Sequence, residues 1–175
     1  MSSLALAYAS PTDDLEVIDP ATYRSVLGRF VTGVTIMTTR CPQGAVAGVT
    51  VSSFNTLSMD PPLILWSLAL NAPSLSVFRD ATRFAVNILA NDQSAVAMQF
   101  GRRGPDKFAG IETTPGFGDV PLIDGAVAHL ECDVEQRYPG GDHELIIGRI
   151  RRAVAHHRTP LAYAHGKFGN FSIVS

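Results

Sequence analysis

The chain has 175 residues, 46% of them hydrophobic and 17% charged. That is enough for one domain with its own core, and too apolar for a disordered chain. A net charge of −2 gives no bulk cationic surface for nucleic acid, and the longest apolar run, Leu63–Leu70, is broken by Ser67 and is far shorter than the ~20 residues of a membrane helix.

Residues 1–18 are small and polar with no sustained period, and read as a loosely ordered arm ahead of a single domain over 19–175. Asp19 as N-cap and Pro20 at the first helical position open a helix. Its Tyr23, Val26, Leu27 and Phe30 make one apolar face, and Gly33 ends the pattern. Val31–Thr39 and Ala45–Phe54 are strands by their Val, Ile and Thr content, joined at Pro42–Gly44 by a hairpin turn. After Asp60-Pro61-Pro62, Leu63–Leu70 predicts a strand buried on both faces. Phe84–Leu89 is a further strand, and a helix runs from Asn91 or Asp92 to about Phe100. Gly101–Gly125, with Gly104, Gly110, Gly116 and Gly118 inside it, reads mostly as loop. Val127–Tyr138 and Glu144–Ala155 are long strands around a Pro139–Asp142 turn, and Leu161–Ala164 and Phe168–Val174 close the chain as short strands. Many strands, few helices and no βαβ alternation predict a closed barrel, which would remove exposed strand edges.

Gly116-Phe117-Gly118 begins a GxGxxG, but Pro121 stands where the third glycine belongs, so no dinucleotide-binding turn follows. Walker A, GxSxG and HExxH sequences are absent. Cys41 and Cys132 lie far apart and outside any CxxC, which disfavours a disulfide framework or a zinc ribbon. An absent signal-type leader completes the expectation of a cytoplasmic protein with no membrane partner. His129 and Glu131 share a strand face, either as two metal ligands or as an ordinary exposed face, and no metal site is expected. His156, His157 and Arg158 read as a solvated strand end. Arg102, Arg103 and Lys107 form a small basic cluster, either solvated surface or a contact for a cofactor phosphate.

Two segments stand out. Gly48 to Ser58 gathers hydroxyls and Asn55 around a strand end before the Asp60-Pro61-Pro62 turn. Hydroxyls and free backbone N–H groups there could cradle a phosphate, or could simply satisfy a turn. Gly140-Gly141-Asp142-His143 combines close backbone approach with a histidine that opens a strand, and alone is equally a hairpin turn.

In order along the chain, Gly28-Arg29-Phe30-Val31-Thr32-Gly33-Val34-Thr35, the Gly48–Ser58 segment and Met59-Asp60-Pro61-Pro62-Leu63 are followed by Phe84–Leu89, Asp106-Lys107-Phe108-Ala109-Gly110, Leu130-Glu131-Cys132 and Gly141-Asp142-His143. Together these resemble the short-chain flavin reductase family, the reductase halves of two-component flavin-dependent monooxygenases. The resemblance spans about Tyr23 to Phe168, and Tyr138–His143 is similar to reductases serving aromatic polyketide or phenol hydroxylation. It implies a mainly β flavin-binding split β-barrel with a few short flanking helices, a homodimer, and NAD(P)H-dependent reduction of FAD or FMN for a separate monooxygenase. NADH is the expected donor, because no dedicated arginine pair for a 2′-phosphate is evident.

By position, the resemblance sets Thr32, Gly33, Val34, Thr35 and Thr50, Val51, Ser52, Ser53 along the flavin, with Ser58 near its phosphate or ribityl chain and Ser67 and Phe84 as neighbours. His143 is the implied catalytic residue on the nicotinamide side, with Gly141 and Asp142 shaping its pocket. Many relatives carry Asn where this chain has Ser53, which leaves FMN against FAD open. Two alternatives also stay open: an oxidase that retains FMN, similar to pyridoxamine-phosphate oxidases, and a non-catalytic flavin- or haem-binding module.

Overall fold

Strand-forming sequence dominates the structure, a computed structural model that describes residues 18–172. The expected arm lies outside the described residues except for Ile18. In chain order the elements are α1 (Pro20–Leu27), β1 (Thr32–Gly33), β2 (Thr35–Arg40), β3 (Val46–Val51), β4 (Asn55–Met59), β5 (Pro62–Ala69), α2 (Leu75–Asp80), β6 (Arg83–Ile88) and α3 (Ser94–Gly101). There follow β7 (Thr113–Pro115), β8 (Pro121–Ile123), β9 (Ala128–Gly140), β10 (His143–Ala155), β11 (Leu161–Ala164) and β12 (Lys167–Asn170).

Seven strands form one antiparallel sheet in the order β3-β2-β6-β9-β10-β5-β4. Ala47 of β3 and Ile64, Trp66 and Leu68 of β5 share one core cluster. Residues from near both edges meet only if the sheet curls on itself, so it wraps as a barrel. The barrel is split rather than closed: β3 and β4, consecutive in the chain, are the two unpaired edges. Trp66 sits at the centre, fully buried, with Phe78 edge-on at 5.2 Å and Phe84 tilted at 5.7 Å. Burying a large apolar side chain of this kind stabilises the fold by ~1.5–3 kcal/mol. A second cluster, with Val34, Ile36, Leu89, Ala97 and Phe100, joins the outer side of the barrel to α3 and to the small sheet β1-β11-β12.

Several expectations change. Asp19 caps α1 as expected, accepting from Ala21 and Thr22 N–H at 2.9 and 3.1 Å, but the helix ends at Gly28, not Gly33. Its apolar face is not core: Tyr23, Val26, Leu27 and Phe30 are all exposed. β5 is fully buried on one face only, with Ile64, Trp66 and Leu68 inward and the alternate residues half-buried, because an antiparallel ladder on each side leaves one face to the core. The expected loop 101–125 contains the β7-β8 hairpin, and α2 was not anticipated. The Pro139–Asp142 turn tightens to Gly141-Asp142, since Pro139 and Gly140 pair with Glu144 and His143. Asp60-Pro61 is a cis peptide at the β4-β5 turn. The last strand ends at Asn170, and residues 173 and 174 of the expected strand lie outside the described residues.

Candidate active site

Val51 ends β3, and Ser52 and Ser53 carry the chain from one sheet edge toward the other. Ser53 fixes this crossing: its hydroxyl donates to the Ser67 carbonyl at 3.2 Å and accepts the Ser67 N–H at 3.1 Å. The Lys107 ammonium donates to the Gly48 carbonyl on the open side of β3. Backbone groups point to the same side at every second residue of a strand, so the N–H and C=O of Thr50 also face that open side.

Three cavities converge here and all share Ser52. The largest, about 810 Å³, runs along α1 past Thr32 to Tyr163 and His165. A middle cavity of about 410 Å³ lies between Thr50–Ser52, the end of α3 and the rings of Tyr163 and Phe168. A third, about 280 Å³, contains Thr50–Ser53, Ser67 and His143. No carboxylate stands among the described residues lining any of the three, while Arg24, Arg102, His143 and His165 do.

The hydroxyls expected together divide into two groups. Thr35 donates to the Val51 carbonyl at 3.1 Å and Thr50 to the Ala97 carbonyl at 2.6 Å. With Ser53, these hold β2, β3, α3 and β5 in place. Thr32 and Ser52 are different. The Thr32 hydroxyl oxygen is buried with no protein partner, and Ser52 enters none of these bonds and is exposed. Gly33 has open space where a Cβ would stand, and Val34 lines the middle cavity while 3% exposed. Ser58, in β4, lines none of the three cavities. Phe84 is also away from them, packed in the barrel core at 2% exposure.

His143 is the first residue of β10, paired to Gly140 and to Ala69 of β5. Gly141 has φ +65° and Asp142 does not share the positive region, which is the two-residue hairpin arrangement with glycine first. The Leu70 N–H donates to the Asp142 carbonyl at 2.9 Å and pins the turn to the end of β5. His143 Nδ1 lies 2.7 Å from Asp142 Oδ1. The hydrogen bond from His143 holds the Asp142 carboxyl below the usual range, so the carboxylate accepts and Nδ1 carries the proton. Nε2 is then the ring's free edge. Behind the turn, Arg79 of α2 donates to Glu144 at 2.9 Å, and Arg137 donates to the Phe78 and Ala81 carbonyls at 2.8 Å each. These contacts tether the hairpin to α2.

The other candidate groups have structural work. Lys107 is half-buried: it also donates to the Phe100 carbonyl at 2.8 Å, and burial lowers its pKa. His129 Nε2 meets the Ile123 carbonyl at 2.9 Å, and Glu131 accepts the Phe117 N–H, so both hold the β7-β8 segment. No group of three potential metal-ligating side chains occurs among the described residues. Both cysteines are free and buried, and burial foremost pushes the Cys132 thiol up to about 12, which leaves it protonated and a poor nucleophile. The sequence reading missed Tyr163 and Phe168, because their place beside Thr32 and Thr50 depends on the long-range pairing of Tyr163 with Thr32.

A flavin fits this arrangement. The orphaned Thr32 hydroxyl, the open-side N–H of Thr50 and the carboxylate-free lining suit a ligand rich in acceptors and negative charge. Residues 27–172 match the family described as flavin reductase like domain. The FMN reductase (NADH) SmoA of Agrobacterium fabrum is 39% identical over 150 residues, 86% of this chain and 85% of that protein. The reductase subunit HsaB of a flavin-dependent monooxygenase from Rhodococcus jostii is 38% identical, covering 87% of this chain and 78% of that one. Among solved structures, the NADH:FAD oxidoreductase SgcE6 of Streptomyces globisporus, in complex with NAD and FAD fragments, is 33% identical. It aligns with a TM-score of 0.83 over 90% of this chain and 98% of that chain.

Proposed function

The chain belongs to the flavin reductase like family, and on that premise we propose that it transfers a hydride from NADH to FAD or FMN and passes the reduced flavin to a separate flavin-dependent monooxygenase. What carries this reading is the meeting at Ser52 of three cavities without carboxylates, one holding the orphaned Thr32 hydroxyl and another holding His143.

When bound, the flavin supplies the electron-accepting ring chemistry, and the protein supplies placement and electrostatics. Thr32 and Ser52 donate hydrogen bonds to flavin oxygens or ring nitrogens. The Thr50 N–H, on the open side of β3, would stabilise negative charge on a bound flavin ring. His143, held through Nδ1 by Asp142, presents Nε2 to the nicotinamide and fixes its approach. It orients the donor and need not move a proton, since hydride transfer requires no general base. Gly141 keeps the turn free of side chain so that a second ring can enter.

The working unit in this proposal is a cytoplasmic homodimer. Exposed Leu57 and Met59 on the β4 edge offer apolar surface for a second copy, and two free buried thiols suit a reducing compartment. No helix among the described residues is long and apolar enough to cross a membrane.

The test is NADH oxidation by purified protein with no flavin, with FMN and with FAD. Saturable turnover that requires added flavin is expected. His143→Ala should raise the KM for NADH or slow hydride transfer while flavin Kd is kept. Turnover unchanged at every NADH concentration would remove His143 from the site. No turnover with either flavin would sink the reductase reading, and flavin retained through dialysis with oxidation of another substrate would favour the oxidase.

A further inference from the structure

We propose that the middle cavity is a nucleotide subsite that takes the adenosine and pyrophosphate half of FAD, and that it makes this chain prefer FAD to FMN. The inference rests on the reading that the flavin ring lies along Thr50–Ser53 beside His143.

The middle cavity continues from that strand end. It shares Thr50, Val51 and Ser52 with the His143 cavity and no other lining residue. A ligand whose ring spans the shared strand end therefore has one side toward His143 and a separate chamber for its remainder. NADH enters on the His143 side; of the two other cavities that meet at Ser52, only the middle one is lined by both Tyr163 and Phe168, which assigns it to the flavin's own tail.

The walls of that chamber match a nucleotide. Tyr163 and Phe168 are directly opposite each other in the β11-β12 hairpin. Their rings are 5.5 Å apart and tilted by 56°, both are half-buried, and both line the cavity. A cross-strand aromatic pair of this kind is a stiff platform for a planar base. Arg102, which follows the end of α3, lines the same cavity and makes no ion pair with any described residue. A free guanidinium suits a pyrophosphate by its charge and planar donor set. The cavity has no acidic lining to oppose it. The α3 wall is held to β3 by the 2.6 Å bond from Thr50 to the Ala97 carbonyl, so the spacing between platform and cation is set by the fold. FMN has a phosphate but no base, and cannot use the ring pair.

Phe168→Ala and Arg102→Ala, with Phe168→Leu as a milder variant that keeps apolar bulk, test this by equilibrium titration of flavin fluorescence. Phe168→Ala should raise the Kd for FAD about tenfold, the loss expected when a stacking ring is removed, and leave the Kd for FMN within about twofold, while Arg102→Ala should weaken FAD more than FMN, which has one phosphate in place of two. ADP should compete with FAD for the wild-type protein and lose that ability in the variants. Equal weakening of FAD and FMN, or an unchanged FAD Kd in correctly folded Phe168→Leu and Arg102→Ala, overturns the subsite. A raised KM for NADH with FMN as acceptor would also overturn it, by assigning the chamber to the other dinucleotide. Failure of the wild-type protein to bind either flavin is a separate result that defeats the parent reading as well.

Discussion

Gly48→Ala tests how closely α3 is fitted to the strand that ends in the site. A Cβ at Gly48 would stand 2.3 Å from Cε1 and 2.5 Å from Cδ1 of Phe100. Carbon atoms prefer ~3.5–4.0 Å, so the ring must recede by more than about 1 Å. It has little room: Phe100 is fully buried and meets Phe108 edge-on at 4.9 Å. Overpacking of this kind costs ~1–3 kcal/mol, and at this chain length each kcal/mol lowers Tm by ~2–4 °C, giving a fall of ~2–12 °C by thermal unfolding. Gly169→Ala is the control, a strand glycine with nothing within 4 Å of the new Cβ, expected to stay within ~0.5 kcal/mol of wild type. Adding Phe100→Leu to Gly48→Ala should recover part of the loss. Because Lys107 joins the Gly48 and Phe100 carbonyls, the shift also moves the α3 wall and weakens flavin binding. Equal Tm values for Gly48→Ala and Gly169→Ala would refute the reasoning.

Thr32→Val removes the orphaned hydroxyl and keeps the shape. Stability should hold, since no protein hydrogen bond is lost, while the FMN Kd rises by roughly 2–13-fold, the equivalent of ~0.5–1.5 kcal/mol for one hydrogen bond; an unchanged Kd in a fluorescence titration takes Thr32 out of the site. At Asp133, burial acts to raise the carboxyl, but hydrogen bonds from Arg151 and Arg83 outweigh it and hold the pKa below the ordinary value. The unfolded chain then binds more protons between the two values, so this contribution is complete above the ordinary carboxylate range and is lost as pH falls through the depressed value. Asp133→Asn should destabilise near neutrality and converge on wild type in acid denaturation, and a pH-independent gap would count against the pair.

The Val46–Val51 strand was legible because β-branched residues and the Pro42–Gly44 turn mark it locally, and it falls where composition puts it. The β7-β8 hairpin has three residues per strand and α2 has six, too few for a period to emerge. α1 misled for another reason. Its apolar face is real, but Tyr23, Leu27 and Phe30 border the largest cavity instead of the core, and periodicity cannot tell one from the other. Phe84 shows the same limit. It lies inside the barrel because Gly148 opposite has no side chain, the missing Cβ position being 2.4 Å from Phe84 Cζ. That partnership joins β6 to β10 and is invisible locally.

The hydroxyl-rich segment was legible as a group, but its division into members bonded within the fold and a member left facing the cavities follows from register. Thr50 is consumed by α3 and Ser53 by β5, which leaves Ser52 between them, one residue past the last ladder partner of β3. An open strand edge is ordinarily a liability, because its unpaired backbone groups invite another strand. Here the split puts that edge at the junction of three cavities, with α3 covering part of β3 and Lys107 satisfying one of its carbonyls. The open-side backbone groups of Thr50, beside Ser52, face that junction, so the same break in the ladder that keeps the barrel from closing supplies a donor that a flavin would use.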